Sequence, residues 1–311
     1  MMGTDYPDSS LPPADGKYLM SSLKNILSDA DITFGNLEGV LLDGGKPEKI
    51  CKDTSICYIF RTPSKYVENL VQAGFNLMSM ANNHSFDFGM AGYKNSENLL
   101  DSNSINSAGR GGSFSIMNVN DIKVGFAAFA PNNGCTSINK LNAVAEEINK
   151  LDRFCDVIIV SFHGGAEGIE ALHVKNEAEV FYGEERGNVV EFARTAIDAG
   201  ADIVVGHGPH VPRAVELYKN KFIAYSLGNF CNYKKFNLRN ERGYAPILKL
   251  TIDENGDFME GEIISAIQYY PGGPVLDNKR RAQRLIENLT DSDFPDSRLG
   301  FYPDGRITKK D

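Results

Sequence analysis

Gly200-Ala-Asp-Ile-Val-Val-Gly-His-Gly-Pro-His-Val-Pro212 is the stretch on which the fold assignment rests, and the chain soon continues with Phe222-Ile-Ala-Tyr-Ser-Leu-Gly-Asn-Phe230. The apolar, β-branched run at residues 203–205 follows a turn and is typical of a buried strand in an α/β sheet. His207 and His210 follow on a loop that a glycine leaves free to turn and two prolines stiffen. Open α/β sheets bind ligands at the carboxyl ends of their strands, so we expect a ligand site here. The alternative is a polar loop whose histidines merely satisfy backbone groups.

Composition limits the class of protein. The chain has 311 residues, of which 42% are hydrophobic and 23% charged, as in an ordinary globular protein. The formal net charge of −9 argues against nucleic acid as a partner, because a nucleic-acid-binding surface needs a basic face. No apolar run approaches the roughly 18 residues of a membrane span. Without a linker or repeat, residues 1–311 are predicted to form one domain that ends in a polar tail at 291–311.

The five cysteines encode no metal or redox motif, because no Cys-x-x-Cys pair occurs. Cys51 and Cys57 are close enough in sequence to form a local bridge, but we expect reduced thiols.

The apolar pattern predicts helices and strands along the whole chain. Thr62 is expected to cap a helix that starts at Pro63 and ends near Ala73, before Gly74. Further helices are predicted at about 93–100, 139–151, 187–199 and 280–289, and strands at 75–80, 124–130 and 156–162. Residues 246–252 and 260–268 alternate around a Glu-Asn-Gly turn, which predicts a hairpin.

Polar side chains follow four of the predicted strands, at the point where each strand ends. They are Asn36 and Glu38; Asn83, His84 and Asp87; His163 and Glu167; and His207 and His210. Imidazole nitrogens combined with carboxylate and amide oxygens suit Zn, Mn or Fe, whereas Mg or Ca prefers oxygen alone. Two such ions roughly 3.5–4 Å apart would clamp a phosphoryl or acyl oxygen and activate a water.

A serine hydrolase is the competing interpretation of these residues. Ser226, a histidine and Asp87 would supply the three side chains of a catalytic triad. The chain has no Gly-x-Ser-x-Gly nucleophile elbow, so this interpretation is disfavoured.

Five ordered blocks resemble a known family. They are Gly35-Asn-Leu-Glu-Gly39, Ala81-Asn-Asn-His-Ser-Phe-Asp-Phe-Gly89, Ser161-Phe-His-Gly-Gly-Ala-Glu167, Gly206-His-Gly-Pro-His210 and Ala224-Tyr-Ser-Leu-Gly-Asn-Phe230. Over about residues 3–268 the chain resembles the bacterial capsule-synthesis CapA family, also called the poly-γ-glutamate synthesis PgsA type. That family looks like a branch of the calcineurin-like metallophosphoesterases. The resemblance implies an α/β fold of four layers, an α/β/β/α sandwich, with a metal centre at one end of the paired sheets.

The resemblance also implies roles for individual residues. For the metal ligands, the resemblance implies that Glu38 is the bridging acid and Asn83 an amide ligand. It also implies that His163 and His207 bind one ion and that His210 binds the other. His84 matches the histidine that protonates the leaving oxygen, with Asp87 as its orienting partner. Further residues of the family blocks are expected around the ligands or against substrate: Asn36, Glu167, Tyr225, Ser226 and Asn229.

Two features depart from the family pattern. The resemblance implies a Gly-Asp pair before Met1, whose Asp is the first metal ligand, and so a first strand that Met1-Met2-Gly3 enters late. Glu38 also stands where phosphatases usually have Asp, so their activity does not transfer directly.

The resemblance implies a metal-dependent, phosphoesterase-like hydrolase involved in the biosynthesis or processing of poly-γ-glutamate or a capsular polymer. Its cofactors would be divalent ions, two in the full-length protein: Mn, Zn or Fe, with Mg or Ca as alternatives. Its partners would be an anionic polymer or small-molecule substrate and membrane-bound polymer-synthesis proteins. The resemblance implies a cell-surface or periplasmic location, with a cytoplasmic one as the alternative. A non-catalytic scaffold of a polymer synthase and a metal-dependent peptide or amino-acid epimerase remain the alternative functions.

Overall fold

The computed structural model describes residues 1–51 and 57–310. The helices are α1 (Lys24–Leu27), α2 (Val67–Ala73), α3 (Gly89–Ser102), α4 (Leu141–Asp152), α5 (Val189–Asp198) and α6 (Arg281–Asp293).

The strands of the first half are β1 (Phe34–Asn36), β2 (Val40–Leu41), β3 (Arg61–Thr62), β4 (Leu77–Ser79), β5 (Asn106–Ala108), β6 (Phe114–Val119), β7 (Ile122–Phe129) and β8 (Val157–His163). Those of the second half are β9 (Glu179–Phe181), β10 (Glu184–Gly187), β11 (Ile203–His207), β12 (Val215–Tyr218), β13 (Lys221–Ala224), β14 (Ile247–Ile252), β15 (Phe258–Ile264), β16 (Ala266–Gln268), β17 (Pro274–Leu276), β18 (Leu299–Phe301) and β19 (Arg306–Lys309).

The largest sheet has six strands in the order β12-β13-β11-β8-β7-β6. Its four inner strands are parallel, and the two edge strands are antiparallel to their neighbours. Every residue of β8 is buried, as its unbroken apolar run predicts for a parallel strand covered on both faces. Helices α4 and α5 pack on one face through Ile148, Phe192 and their neighbours. The fold is therefore mixed α/β, as predicted.

A second, three-stranded parallel sheet has the order β1-β4-β5. Helices α2 and α3 share an apolar cluster with this sheet, to which Leu70, Met78 and Tyr93 contribute. On its other face, Leu77 and Ala108 pack with Phe126 and Ile159 of the six-stranded sheet. The three-stranded and six-stranded sheets thus share an apolar core, and the carboxyl ends of their parallel strands carry the predicted site residues.

The C-terminal residues form a third sheet, antiparallel, in the order β14-β15-β19-β18. The hairpin predicted at 246–252 and 260–268 is confirmed for β14 and β15, but its predicted second strand runs too far, because residues 266–268 form β16 and pair with β17. The predicted polar tail at 291–311 is wrong: Leu299 and Ile307 are fully buried in this sheet. The strands here are short, and their apolar residues stand between charged neighbours. The sequence therefore contains no alternating pattern long enough to predict a strand.

The predicted cap of α2 is also wrong. Thr62 belongs to β3, and its hydroxyl donates a hydrogen bond to the Gly3 carbonyl instead of capping a helix. A 3₁₀ turn at 64–66 separates Pro63 from α2, which begins at Val67. The C-terminus is as predicted, since Gly74 adopts φ 93° and ends the helix.

Cys51 and Cys57 form a disulfide, so the expectation of reduced thiols is wrong for this pair. Their Cα atoms are 5.6 Å apart, which is within the range that a disulfide requires. Cys135, Cys155 and Cys231 are free thiols, as predicted.

In the part of the chain that the structure describes, we find no helix with both the length and the apolar character of a membrane span.

Candidate metal centre

Two candidate ligands lie side by side on neighbouring strands. His163 ends β8 and His207 ends β11, and the two residues are paired in register across these parallel strands. His207 is thus the last residue of a strand and not part of the loop, because β11 extends two residues beyond Val205. Both ring nitrogens of His163 and Nε2 of His207 are buried without a hydrogen-bond partner among the described residues.

Glu38 and His210 face each other across the site. The distance from His210 Nε2 to Glu38 Oε1 is 3.6 Å, and to Glu167 Oε2 it is 3.9 Å. His210 adopts φ 57°, an unfavourable conformation for a residue with a side chain. Asn229 stabilises it twice: its Oδ1 lies 2.9 Å from His210 Nδ1, and its Nδ2 donates to the His210 carbonyl at 3.1 Å. Because an amide oxygen only accepts, Nδ1 carries the proton and Nε2 faces Glu38.

The Asn-His block brings three predicted residues together. The side chain of Asn83 presents a buried Oδ1 without a hydrogen-bond partner among the described residues. His84 Nδ1 lies 2.8 Å from Asp87 Oδ2, and the same oxygen accepts the Phe60 backbone N–H at 2.8 Å. The Phe60 ring packs 4.4 Å from that of His84 and limits its rotation. The structure therefore places Asp87 where it can orient His84.

Electrostatics favour the ligand form of these groups at neutral pH. Burial alone would raise the pKa of Glu38, but His210, His163, His84 and the amino group of Met1 lower it to about 2. Burial lowers the pKa of His163 to about 3 and that of His207 to about 4. His163 is therefore uncharged at neutral pH. It stabilises the Glu38 carboxylate by charge only in acid, where the imidazole is protonated. An ionised carboxylate and neutral imidazoles are the forms that bind metal.

The candidate ligand atoms are of the kinds that bind a metal ion, but they do not converge on a single coordination position. Among residues 1–51 and 57–310, no three His, Cys, Asp or Glu side chains lie close enough to share an ion. Buried polar atoms normally have hydrogen-bond partners, and several unpartnered atoms in one place call for an explanation. At this site the buried atoms without a partner among the described residues are Glu38 Oε1, Asn83 Oδ1, His163 Nδ1 and Nε2, and His207 Nε2.

The remaining predicted residues divide into two groups. Asn36 accepts a hydrogen bond from the Asn82 side chain at 3.1 Å, beside the Asn-His block. The side chains of Tyr225 and Ser226, in contrast, donate hydrogen bonds to residues other than the candidate ligands. The Tyr225 hydroxyl donates to Glu216 at 2.6 Å, and Ser226 Oγ donates to the Val211 carbonyl at 2.8 Å. These two residues hold the strand and the histidine loop in place.

Sequence reasoning missed two cations at the site. Lys49 Nζ lies 3.0 Å from Asp87 Oδ1 and donates to the Asn83 carbonyl at 3.1 Å, although its segment reads as a surface loop. Arg186 is buried on β10, and its guanidinium Nη1 lies 3.3 Å from Glu167 Oε1. Neither cation stands in a motif, so only the tertiary structure brings it to the site.

Comparison with known proteins places these residues in a wider context. A family model described as "Bacterial capsule synthesis protein PGA_cap" matches residues 1–234. The capsule biosynthesis protein CapA of Bacillus anthracis is 28% identical over 233 residues, which cover 68% of this chain and 53% of that protein.

The PGA biosynthesis protein CapA of Bacillus subtilis is 27% identical over 266 residues, covering 80% of this chain and 65% of that protein. A probable polyglutamine synthesis accessory protein of Mycobacterium tuberculosis is 28% identical over 148 residues, covering 48% of this chain and 34% of that protein. The matches thus span between about half and two thirds of the two Bacillus proteins.

Proposed function

Because the chain belongs to the bacterial capsule synthesis protein PGA_cap family, we propose that it is a metal-dependent hydrolase that acts in making or processing poly-γ-glutamate or a capsular polymer. The names of the two Bacillus relatives support the biological role. One structural observation carries the chemistry: in the part of the chain that the structure describes, buried side-chain oxygen and nitrogen atoms of Glu38, Asn83, His163 and His207 have no hydrogen-bond partner. Leaving such atoms unpaired costs about 1–3 kcal/mol each, which a bound cation would offset.

The residues present would hold a divalent ion with a mixed nitrogen and oxygen ligand set. Asn83, His163 and His207 would bind one ion, Glu38 would bridge, and His210 would bind a second. When bound, Mn, Zn or Fe supplies Lewis acidity, which polarises a carbonyl or phosphoryl oxygen and acidifies water. Glu38 supplies the negative charge, and the buried imidazoles remain neutral and available for binding.

His84 is the proposed proton donor to the leaving group. Its Nδ1–H donates a hydrogen bond to Asp87 Oδ2 at 2.8 Å, and this carboxylate stabilises the imidazolium form, whose other ring N–H would protonate the leaving group. Lys49 lies 3.0 Å from the other oxygen of Asp87 and partly balances its charge. Asp87 thus has one oxygen for the histidine and one for the lysine.

The layer order is part of the proposal. Helices α4 and α5 cover the six-stranded sheet, and α2 and α3 cover the three-stranded one. An apolar cluster joins the two sheets. This order supports a four-layer α/β/β/α sandwich of the metallophosphoesterase type.

The proposal is tested by turnover with and without metal. The protein loaded with Mn or Zn should hydrolyse bis(p-nitrophenyl) phosphate or a γ-glutamyl oligomer. His84→Asn should keep its metal but lose about 10²- to 10⁴-fold in turnover, the usual share of general acid catalysis. His173→Asn is the matched control, since His173 pairs with Asp293 on an exposed surface. Metal-loaded protein that hydrolyses neither substrate would overturn the proposed activity.

A non-catalytic accessory role is the second candidate. Two observations favour it: no three ligand side chains converge in the described residues, and the Mycobacterium tuberculosis relative is named as an accessory protein. The partner would be a membrane-bound polymer synthase. Polymer production in cells discriminates the two, because a scaffold should still support it after His163→Ala and His207→Ala, whereas a metal-dependent enzyme should not.

A further inference from the structure

Arg186 is a buried arginine whose N–H donors are only partly satisfied. Its side chain is 6% exposed, and Nη2 lies 3.0 Å from Glu184 Oε2. Nη1 is 3.3 Å from Glu167 Oε1, close enough for attraction between the charges, but neither Nη1 nor Nε has a hydrogen-bond partner among the described residues. A guanidinium has five N–H donors, and a buried donor without an acceptor is costly. An acceptor supplied by a bound ligand would offset that cost.

A β-bulge brings this side chain to the candidate metal centre. In the antiparallel pair of β9 and β10, the register shifts between Glu185 and Gly187, which leaves Arg186 as the additional, unpaired residue. Its backbone carbonyl accepts the Gly165 N–H at 2.8 Å, two residues after His163. Bulges often re-aim a side chain beside an active site. The hairpin is thus fixed to the segment that carries a candidate ligand, with Arg186 at the point of contact.

A second guanidinium lies beside the same segment. A Cβ atom placed on Gly168, the residue after Glu167, would lie 3.1 Å from Arg242 Nη2. Arg242 is half-buried, and its guanidinium pairs with no carboxylate within residues 1–51 and 57–310. Its backbone carbonyl accepts from Asn229 Nδ2 at 3.0 Å, and the same amide group holds the His210 carbonyl. Two arginines therefore lie on either side of one short segment next to a candidate ligand.

We propose that Arg186 and Arg242 bind a carboxylate of the substrate beside the candidate metal centre and thereby select γ-linked glutamyl chains. This inference rests on the proposed function, which supplies the class of substrate. Glutamyl units joined through their γ-carboxyl groups each keep a free α-carboxylate, and the amide nitrogen of every linkage is bonded to a carbon that carries one. A carboxylate therefore always lies next to the bond to be cut. Arginine suits it, because its planar guanidinium presents paired donors to a carboxylate.

The charges around Arg186 agree with an anionic ligand. The chain has a formal net charge of −9, so an anionic polymer needs a local cluster of cations in order to bind. The Glu184 side chain is 62% exposed and is able to turn into solvent. A substrate carboxylate that takes its place leaves the charge balance of Arg186 unchanged, and it brings acceptors to the unpaired nitrogens. A phosphoryl group has the same oxyanion chemistry and is the alternative source of the ligand.

Calorimetric titration with a short γ-glutamyl oligomer tests the proposal. Binding is measured in the His84→Asn protein, in which turnover does not interfere. Adding Arg186→Gln or Arg242→Gln should weaken binding about 10- to 100-fold, because each removes charge-assisted hydrogen bonds to the ligand. The same oligomer with amidated α-carboxylates should bind weakly from the start and lose little more in these variants. Arg306→Gln is the matched control, since Arg306 pairs with Asp304 on an exposed surface.

A structural role of the arginines gives a different result. If they only hold the segment around Glu167 in place, the variants should weaken binding of the charged and the amidated oligomer equally, which would overturn the proposal. Circular dichroism shows whether each variant is folded. Should Arg186→Gln fail to fold, Arg186→Lys keeps the charge and should still weaken binding of the charged oligomer, because an ammonium lacks the planar pair of donors.

The remaining outcomes also count against the proposal. No binding of the charged oligomer to the parent protein, or unchanged binding in the folded variants, removes the carboxylate site. If both oligomers bind alike while the variants lose affinity for inorganic phosphate, the arginines bind a phosphoryl group instead. Because binding is measured without turnover, a protein that fails to hydrolyse any substrate leaves this test intact.

Discussion

Breaking the buried ion pair between Arg213 and Glu179 should destabilise the protein more than any exposed pair. Arg213 is 0% exposed, and its Nη1 and Nη2 donate to the two Glu179 oxygens at 2.8 and 2.7 Å. The carboxylate also accepts the Ala166 N–H at 2.8 Å. The pair therefore fixes the segment that follows His163 and carries Glu167.

Removal of Glu179 leaves a guanidinium without its counter-charge in the interior. Loss of one partner of a buried pair costs about 3–5 kcal/mol, a large part of the 5–15 kcal/mol by which proteins are typically stable. Glu179→Ala should lower the free energy of unfolding by that amount in urea titrations followed by circular dichroism. Asp198→Ala is the control, because its pair with Lys219 is exposed to solvent and contributes little to stability.

A double variant separates charge burial from packing. Arg213→Met with Glu179→Met removes both charges and should recover part of the stability lost in Glu179→Ala. If Glu179→Ala costs no more than Asp198→Ala, the reasoning from burial is refuted.

Three further predictions concern groups outside the site. Thiol titration of the denatured, unreduced protein should find three reactive thiols and not five, because Cys51 and Cys57 are bonded; five would contradict the pairing. The Arg281 guanidinium, one helical turn further on, lowers the pKa of Asp277 to about 2. The contribution of Asp277 to stability is therefore present above about pH 4 and is lost as pH falls towards 2. Asp277→Asn should flatten the pH dependence of unfolding in that window; an unchanged slope would refute the assignment. Tyr225→Phe should cost about 1–3 kcal/mol, because it removes the hydroxyl that donates to buried Glu216, and metal content should stay constant.

The sequence was most informative where one buried strand runs directly into a polar residue. The apolar run of β8 predicted both the strand and the position of His163, because a polar residue that follows such a run lies at the carboxyl end of the strand. The same logic placed His207, although β11 extends to include it. Asp87 was predictable from its short separation from His84.

Contacts between distant segments could not be predicted in this way. Lys49 reaches Asp87 from a loop of glycine, lysine and proline, whose composition indicates only a surface turn. Thr62 was predicted as a cap from local preference, but pairing in β3 and a hydrogen bond to Gly3 prevailed. Tyr225 belongs to a family block near the site, yet its ring packs against Phe294 in the core.

Metal content tests the central claim most directly. The protein and its His163→Ala and His207→Ala variants should be dialysed against Mn and Zn and measured by elemental analysis, with His173→Ala as the control. We expect bound metal in the parent protein and the control, and a sharp loss in both site variants, since a methyl group cannot replace an imidazole ligand. Unchanged metal content in both site variants, with circular dichroism showing that they are folded, would contradict the account.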